Sequence, residues 1–173
     1  MIMEDQLILV DENDQEVGTG GKMAVHKNGL LHRAFSVLVF NSKGELLLQQ
    51  RAKSKYHSGG LWTNTCCSHP KMGETTLQAA KRRLSEEMGL TCDLKEVFSF
   101  CYKAAFPNGL IENEYDHVLI GESDSVPVTD KEEVDDWKWI KLENLRIDLE
   151  KNPEIYTEWF KILMDKLRKY PKV

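Results

Sequence analysis

Residues 68–90, SHPKMGETTLQAAKRRLSEEMGL, constrain the fold of this chain more than any other stretch. Leu77, Ala80, Leu84 and Met88 recur at helical spacing, so the segment predicts a helix that lays one apolar stripe on a core. Thr75 and Gln78 can form a capping box at its start, and Gly89 can end it. Glu74 stands at the entry, and Glu86 and Glu87 lie in the last turn. Taken alone, RRLSEE reads as a solvated face with an Arg83–Glu87 pair at i, i+4, which stabilises a helix by only about 0.2–0.5 kcal/mol.

The flanking text alternates strands and turns. AFSVLVF (34–40) and ELLLQQR (45–51) are apolar, β-leaning runs joined by NSKG, the pattern of an antiparallel hairpin. KMAVH before the Asn28-Gly29 pair predicts another strand and turn. EVFSFCY (96–102) and IENEYDHVLI (111–120) flank the turn FPNG, and DWKWI (136–140) reads as a last strand. A second helix is expected from Asn152 and Pro153 to about residue 169, with Ile155, Trp159, Ile162, Leu163 and Leu167 along one face. The fold class is α+β, a mixed β-sheet flanked by helices. At 173 residues, with no repeat or linker, the chain is expected to form a single domain over 1–173, near the usual domain size of roughly 150 residues.

Charge narrows the partners. With 23 Lys and Arg against 28 Asp and Glu, and a pI near 5.6, the chain lacks the basic surface that favours nucleic acid or anionic membrane, so an anionic ligand has to be recognised locally. The opening MIMEDQLILVDEND is acidic with a short apolar run, unlike a leader, and no segment approaches the ~18 apolar residues of a membrane span. A soluble cytoplasmic protein is expected, with no nucleic-acid, membrane or protein partner implied.

NTCCSHP (64–70) places Cys66 and Cys67 just ahead of His69. In the cytoplasm these thiols stay reduced, and a bond between neighbours would need a strained ring. A structural zinc site wants paired CxxC or CxxH units, whereas Cys92 and Cys101 stand alone and read as small buried hydrophobes. Elsewhere, His26 and His32 bracket the turn KNGLL, and Glu112 and Glu114 at i, i+2 on a strand project from one face. With His69 they make three imidazoles and two carboxylates, a set suited to Zn, Mn, Fe or Mg. His57 and His117 read as structural.

The 68–90 segment resembles the Nudix motif: Gly, any five, Glu, any seven, Arg-Glu-apolar-any-Glu-Glu-any-Gly-apolar. That family uses this loop, helix and loop to hold divalent metal against a diphosphate, and a Nudix-type fold is implied. Two positions depart from the motif: Ser68 stands at the first Gly and Arg83 at the central Glu. LHRAFSVLVFN, RAKSK, LWTNTCCSHP, YKAAFPNGLIENEYDHV and EWF together resemble the type I isopentenyl-diphosphate Δ-isomerases, a Nudix-fold branch, over residues 6 to 165.

This second resemblance implies an activity and a set of roles. The activity is isomerisation of isopentenyl diphosphate to dimethylallyl diphosphate, by protonation and deprotonation on opposite faces of the alkene. Cys67, two residues before His69, becomes the base as thiolate, and Glu114 with Tyr102 the proton donor. Trp159 faces the tertiary cation between the two steps, although plain core packing explains that ring equally well. His26, His32, His69, Glu112 and Glu114 hold one metal, Mn²⁺ or Zn²⁺. A second ion, Mg²⁺, bridges the diphosphate to Glu87 and the backbone carbonyl of Cys67. Lys22, Arg51, Lys55 and Arg83 grip the diphosphate, so an anchoring arginine stands where a hydrolase keeps a carboxylate. The competing readings are a Nudix hydrolase of a nucleoside diphosphate derivative and a catalytically silent Nudix fold that senses a diphosphate.

Overall fold

The central strands are continuous apolar runs because both of their faces are covered. β1 (Gln6–Val10) and β2 (Glu16–Gly21) form a hairpin, followed by α1 (Lys22–Asn28). β3 (His32–Phe40) turns through NSKG into β4 (Glu45–Arg51), as the hairpin pattern predicts. β5 (Trp62–Thr63) and β6 (Cys66–Ser68) precede α2 (Thr76–Met88). β7 (Leu94–Ala105) and β8 (Ile111–Glu122) form a long hairpin about FPNG, and β9 (Val134–Lys141) adds to β4. α3 (Leu142–Lys151), a 3₁₀ turn (Pro153–Ile155) and α4 (Glu158–Leu167) follow. This computed structural model describes residues 5–170, so the first four residues of the acidic opening lie outside the described residues. Among the described residues no helix is long and apolar enough to cross a membrane.

β3 organises the mixed sheet. One edge pairs parallel with β8 along its whole length, from His32 opposite Glu114 to Phe40 opposite Glu122. The other edge is divided among β1 at His32, β6 at Phe35–Val37 and β4 at Phe40. Alternation along the pleat then builds two cores. Phe35, Val37 and Val39 face Ala79, Ala80, Leu84 and Met88 of α2. Leu38, Leu48 and Val118 face Trp159, Phe160 and Leu163 of α4. The same alternation separates the two cysteines, since Cys66 packs in the first core and Cys67 borders the second.

α2 is bounded as its sequence predicts. Thr75 Oγ1 accepts from the Gln78 backbone N–H, the Gln78 side chain accepts from Thr75 N–H, and Gly89 ends the helix at φ 63°. Leu77, however, is 42% exposed, and Ala79 takes its place in the buried stripe. The carbonyls of Glu87 and Met88 accept from Asp130 and Val128, which closes the last turn onto the 128–130 segment. Gly89→Ala is therefore expected to lower stability by about 2–4 kcal/mol in urea unfolding: a left-handed residue gains a side chain, and its Cβ would stand 2.5 Å from the Val128 carbonyl oxygen. A change within about 0.5 kcal/mol, as at an ordinary surface site, would contradict this.

Three expectations need correction. KMAVH is helical, because seven residues carry no decisive period and Gly29 at φ 61° caps α1 with its N–H on the Val25 carbonyl. The second helix does not run from Asn152. Pro153 starts a 3₁₀ turn only, because Tyr156 is drawn out into extended backbone bridging Trp62, and the helix restarts after Thr157. Its buried face includes Phe160 and Met164, whereas Ile162 is only half-buried. Cys101 is exposed and Cys92 half-buried, so neither is the fully enclosed hydrophobe expected.

Candidate active site

A cleft opens where the ends of β3, β6 and β8 meet α1 and α2, and Cys67, His69, Arg83, Glu87, Glu114 and Trp159 are among its walls. His26, on α1, donates Nδ1–H to the Lys22 carbonyl (2.7 Å), and His32, first in β3, donates Nδ1–H to the Leu30 carbonyl (2.8 Å). A carbonyl accepts only from N–H, so both imidazoles present the lone pair of Nε2 to the cleft. His69 Nε2 lies 3.2 Å from His32 Nε2 and 3.0 Å from Glu114 Oε1. The ligand atoms of His26, His32, His69 and Glu114 all fall within 4.8 Å of one another.

This donor set fits a divalent metal. His26 Nε2 is buried without a hydrogen-bond partner, and the lone pairs of His26 and His32 are steered inward by backbone carbonyls. Bare imidazoles converging in this way leave polar atoms unsatisfied, which a cation relieves. Burial pushes His69 down to about 4 and also lowers His26, which keeps these rings neutral and able to ligate. His32 goes up despite burial, because the Glu114 carboxylate, 3.5 Å from its Nε2, favours the protonated ring when no cation is bound.

Glu112 is placed differently from the five-ligand expectation. Its ligand atom groups with His26 and His57, not with the His32, His69 and Glu114 atoms. His57, read from sequence as structural, is buried in the cleft wall with Nε2 3.2 Å from Glu112 Oε1. His117 does lie apart from the site, between Asp14 and Glu96. Glu112 and Glu114 share a face of β8 and meet at Tyr102, whose hydroxyl lies 2.9 Å from Glu112 Oε2 and 2.6 Å from Glu114 Oε2. Burial and the Glu114 charge push Glu112 up. Burial acts the same way on Glu114, but His32 and His69 overcome it and hold that carboxyl well below its usual range. The phenol of Tyr102, buried beside two acids, is pushed well up and keeps its proton.

Cys67 faces the cleft and Cys66 does not. Cys67 is not a ready thiolate in the protein alone. Burial raises its thiol far above the usual value, Arg51 opposes this, and Glu87, Glu112 and Glu114 add to it. Positive charge bound by those same carboxylates would act in the opposite sense.

Lys22, Arg51, Lys55 and Arg83 all line the cleft, but each already has a partner. Lys55 Nζ is 2.5 Å from Glu133, and Arg83 meets Glu86 at 2.8 Å, Glu87 at 2.6 Å and Glu133 at 3.2 Å. Lys22 sits over the Tyr56 ring, and Arg51 over Trp159 with 5.1 Å to the centroid. The Arg83–Glu87 pair of the bare-helix reading exists, but Glu87 is 5% exposed and also accepts from Gln49 (2.9 Å), so this is no solvated face. Sequence reasoning missed Glu133 and Gln49, which reach the cleft from β9's entry loop and from β4. Trp159 is 3% exposed in the second core and also walls the cleft, so packing and site readings both describe it.

Residues 30–160 match the NUDIX domain. A crystal structure of DR0079 from Deinococcus radiodurans has the same fold, with a TM-score of 0.77 at 20% identity, covering 95% of this chain and 98% of that one. Isopentenyl-diphosphate Delta-isomerase 2 of Aromatoleum aromaticum is 55% identical over 165 residues, covering 95% of this chain and 87% of the relative. The isopentenyl-diphosphate Delta-isomerase of Serratia proteamaculans is 52% identical over 165 residues, covering 95% and 92%. With a NUDIX domain spanning its centre and such identity along nearly its whole length, the chain belongs to the isopentenyl-diphosphate Delta-isomerase family.

Proposed function

We propose that the chain converts isopentenyl diphosphate to dimethylallyl diphosphate with divalent metal. The observation that carries this reading is the placement of Cys67 on β6 and of Glu112 and Glu114 on β8, strands on opposite edges of β3, with all three side chains opening on one cleft. The reaction adds a proton to the terminal alkene carbon and removes one from the carbon two positions along, so it needs an acid and a base that approach from opposite faces. Tyr102, which bears a proton and donates to the ionised Glu114, is with that carboxylate the proposed acid side, and Cys67 the base. Trp159 walls the region between them, where an aromatic face attracts a cation by roughly 0.5–2 kcal/mol.

Arg83, Lys55, Lys22 and Arg51 receive the diphosphate, with Lys55 and Arg83 exchanging the carboxylate of Glu133 for phosphate oxygens. His26, His32, His69 and Glu114, with Glu112 beside them, are the proposed holders of Mn²⁺ or Zn²⁺, and Glu87 with the Cys67 carbonyl would hold Mg²⁺. When bound, these ions supply positive charge that neutralises the carboxylates around Cys67 and the diphosphate. A hydrolase reading is disfavoured by the helix itself. The central motif carboxylate is absent at Arg83, while Glu74 is clamped by Arg82 at 2.7 and 2.8 Å, a pair that the motif's own spacing provides.

Incubation with isopentenyl diphosphate and Mg²⁺ is expected to yield an acid-labile allylic diphosphate. Prior removal of all metal by chelation should abolish that product, and restoring Mn²⁺ or Zn²⁺ together with Mg²⁺ should recover it. Failure of the metal-loaded protein to form any allylic product would overturn the reading, and full activity after exhaustive chelation would remove the metal from it.

A further inference from the structure

His57 is buried in the cleft, and nothing above gives it a task. Its ring lies flat on Phe106, 4.5 Å between centroids and 12° between planes, and meets Tyr56 and Trp159 edge-on at 4.3 and 5.7 Å. Its carbonyl accepts from Arg51 (3.3 Å), and Nδ1 is 3.2 Å from Ser58 Oγ. Ser58 sits at φ 53°, in the left-handed region that a serine rarely adopts, so the loop holds an uncommon backbone where it presents this ring. The atom so aimed is Nε2. It approaches Glu112 Oε1 to 3.2 Å, an ion-pair distance, and is buried without a hydrogen-bond partner.

His26 Nε2 is in the same condition. A ring nitrogen of each of these two histidines and an oxygen of Glu112 lie within 4.8 Å of one another. His26 also belongs to the set made with His32, His69 and Glu114. One imidazole nitrogen has one lone pair and serves one ion, so the two overlapping sets describe the surroundings of a single ion.

We propose that His57 is a ligand of the metal centre: its Nε2, together with Glu112, closes the side of the ion's shell that His26, His32, His69 and Glu114 leave open. This rests on the metal-dependent reading above. The resulting shell has four imidazoles and two carboxylates. Four nitrogen donors disfavour Mg²⁺, which takes oxygen ligands and retains water, and favour a transition-metal ion.

The wild-type full chain, labelled with ¹⁵N-histidine and loaded with ¹¹³Cd²⁺, tests this without any substitution. Four imidazole nitrogens are expected to show scalar coupling to cadmium, with His57 Nε2 among them. Coupling confined to His26, His32 and His69 overturns the assignment of His57 and keeps the centre, whereas coupling to no histidine overturns the centre as well. His57→Phe retains a flat ring against Phe106 and removes the donor. It is expected to weaken Co²⁺ binding by about 10- to 100-fold and to intensify the cobalt absorption as the coordination number falls. Unchanged Co²⁺ affinity and an unchanged spectrum in that variant would overturn the proposal.

Discussion

Cys67→Ala is expected to lower the isomerisation rate by roughly 10²- to 10⁴-fold, the usual contribution of a positioned acid–base group, while leaving the metal content unchanged. Cys66→Ala should retain most of the activity and lose about 1 kcal/mol of stability, because its thiol is packed among Phe35, Val37 and the α2 alanines. The contrast is sharp because the two residues are neighbours. They share the strand and the local backbone, and differ in the face they occupy. Cys67→Ser separates nucleus from geometry further: the hydroxyl fills the site but is far too weak an acid to serve as base, so the activity should stay close to that of the alanine variant. Equal losses from Cys66→Ala and Cys67→Ala, or a Cys67→Ala enzyme near wild-type rate, would remove the thiol from the reaction. Chelated and metal-loaded wild type can be compared by thiol alkylation in the same experiment. Burial and the three nearby carboxylates hold the Cys67 thiol protonated, so alkylation should be faster in the metal-loaded protein.

The parity of Cys66 and Cys67 was legible in the sequence because it depends only on the strand pleat, and so was the shared face of Glu112 and Glu114. The capping box and Gly89 were legible for a similar reason, since each is a local device with its own residue types. The meeting of His26 and His32, whose rings lie 5.0 Å apart, follows from any tight reversal through KNGLL, whether the arm before it is strand or helix. For that reason the two rings meet although α1 was read as a strand. His57 and Glu133 were not legible, because both reach the cleft from loops whose course is set by distant contacts. The His57 loop is closed where Gly59 packs against the Lys53 carbonyl, with no room for a Cβ, and where Asn108 donates to the Tyr56 carbonyl. Glu133 is delivered by a turn anchored on the end of α2. α3 was missed because only Leu145 of its ten residues is buried and Ile147 faces solvent, which leaves little apolar period to read.

Arg83→Ala is expected to raise the apparent KM for isopentenyl diphosphate by about 10- to 100-fold, the equivalent of losing one charge-assisted hydrogen bond of roughly 1.5–3 kcal/mol. The guanidinium bridges Glu86, Glu87 and Glu133 at the cleft, and burial does not prevent Glu87 and Glu133 from holding its charge above the ordinary value. Removing it therefore does two things. It takes a fork away from the phosphate oxygens, and it leaves buried Glu87 with Gln49 as its remaining hydrogen-bond partner. Arg83→Lys should lie between wild type and alanine, because an ammonium restores the charge without the planar fork. Arg83→Glu should be the most damaging, since a further carboxylate would then face Glu86, Glu87 and Glu133, with Lys55 the cation left on Glu133. That variant also restores the acidic residue that the NUDIX helix pattern carries at this position, so a latent hydrolase would gain metal-dependent release of phosphate or nucleotide from nucleoside diphosphate compounds. No such gain is expected, because the cleft remains walled by Cys67 and Trp159. Isomerisation and phosphate release should be measured side by side for wild type and the three variants. A KM unchanged in Arg83→Ala would take the residue out of diphosphate binding, and nucleotide hydrolysis by wild type faster than its isomerisation would overturn the assigned chemistry altogether.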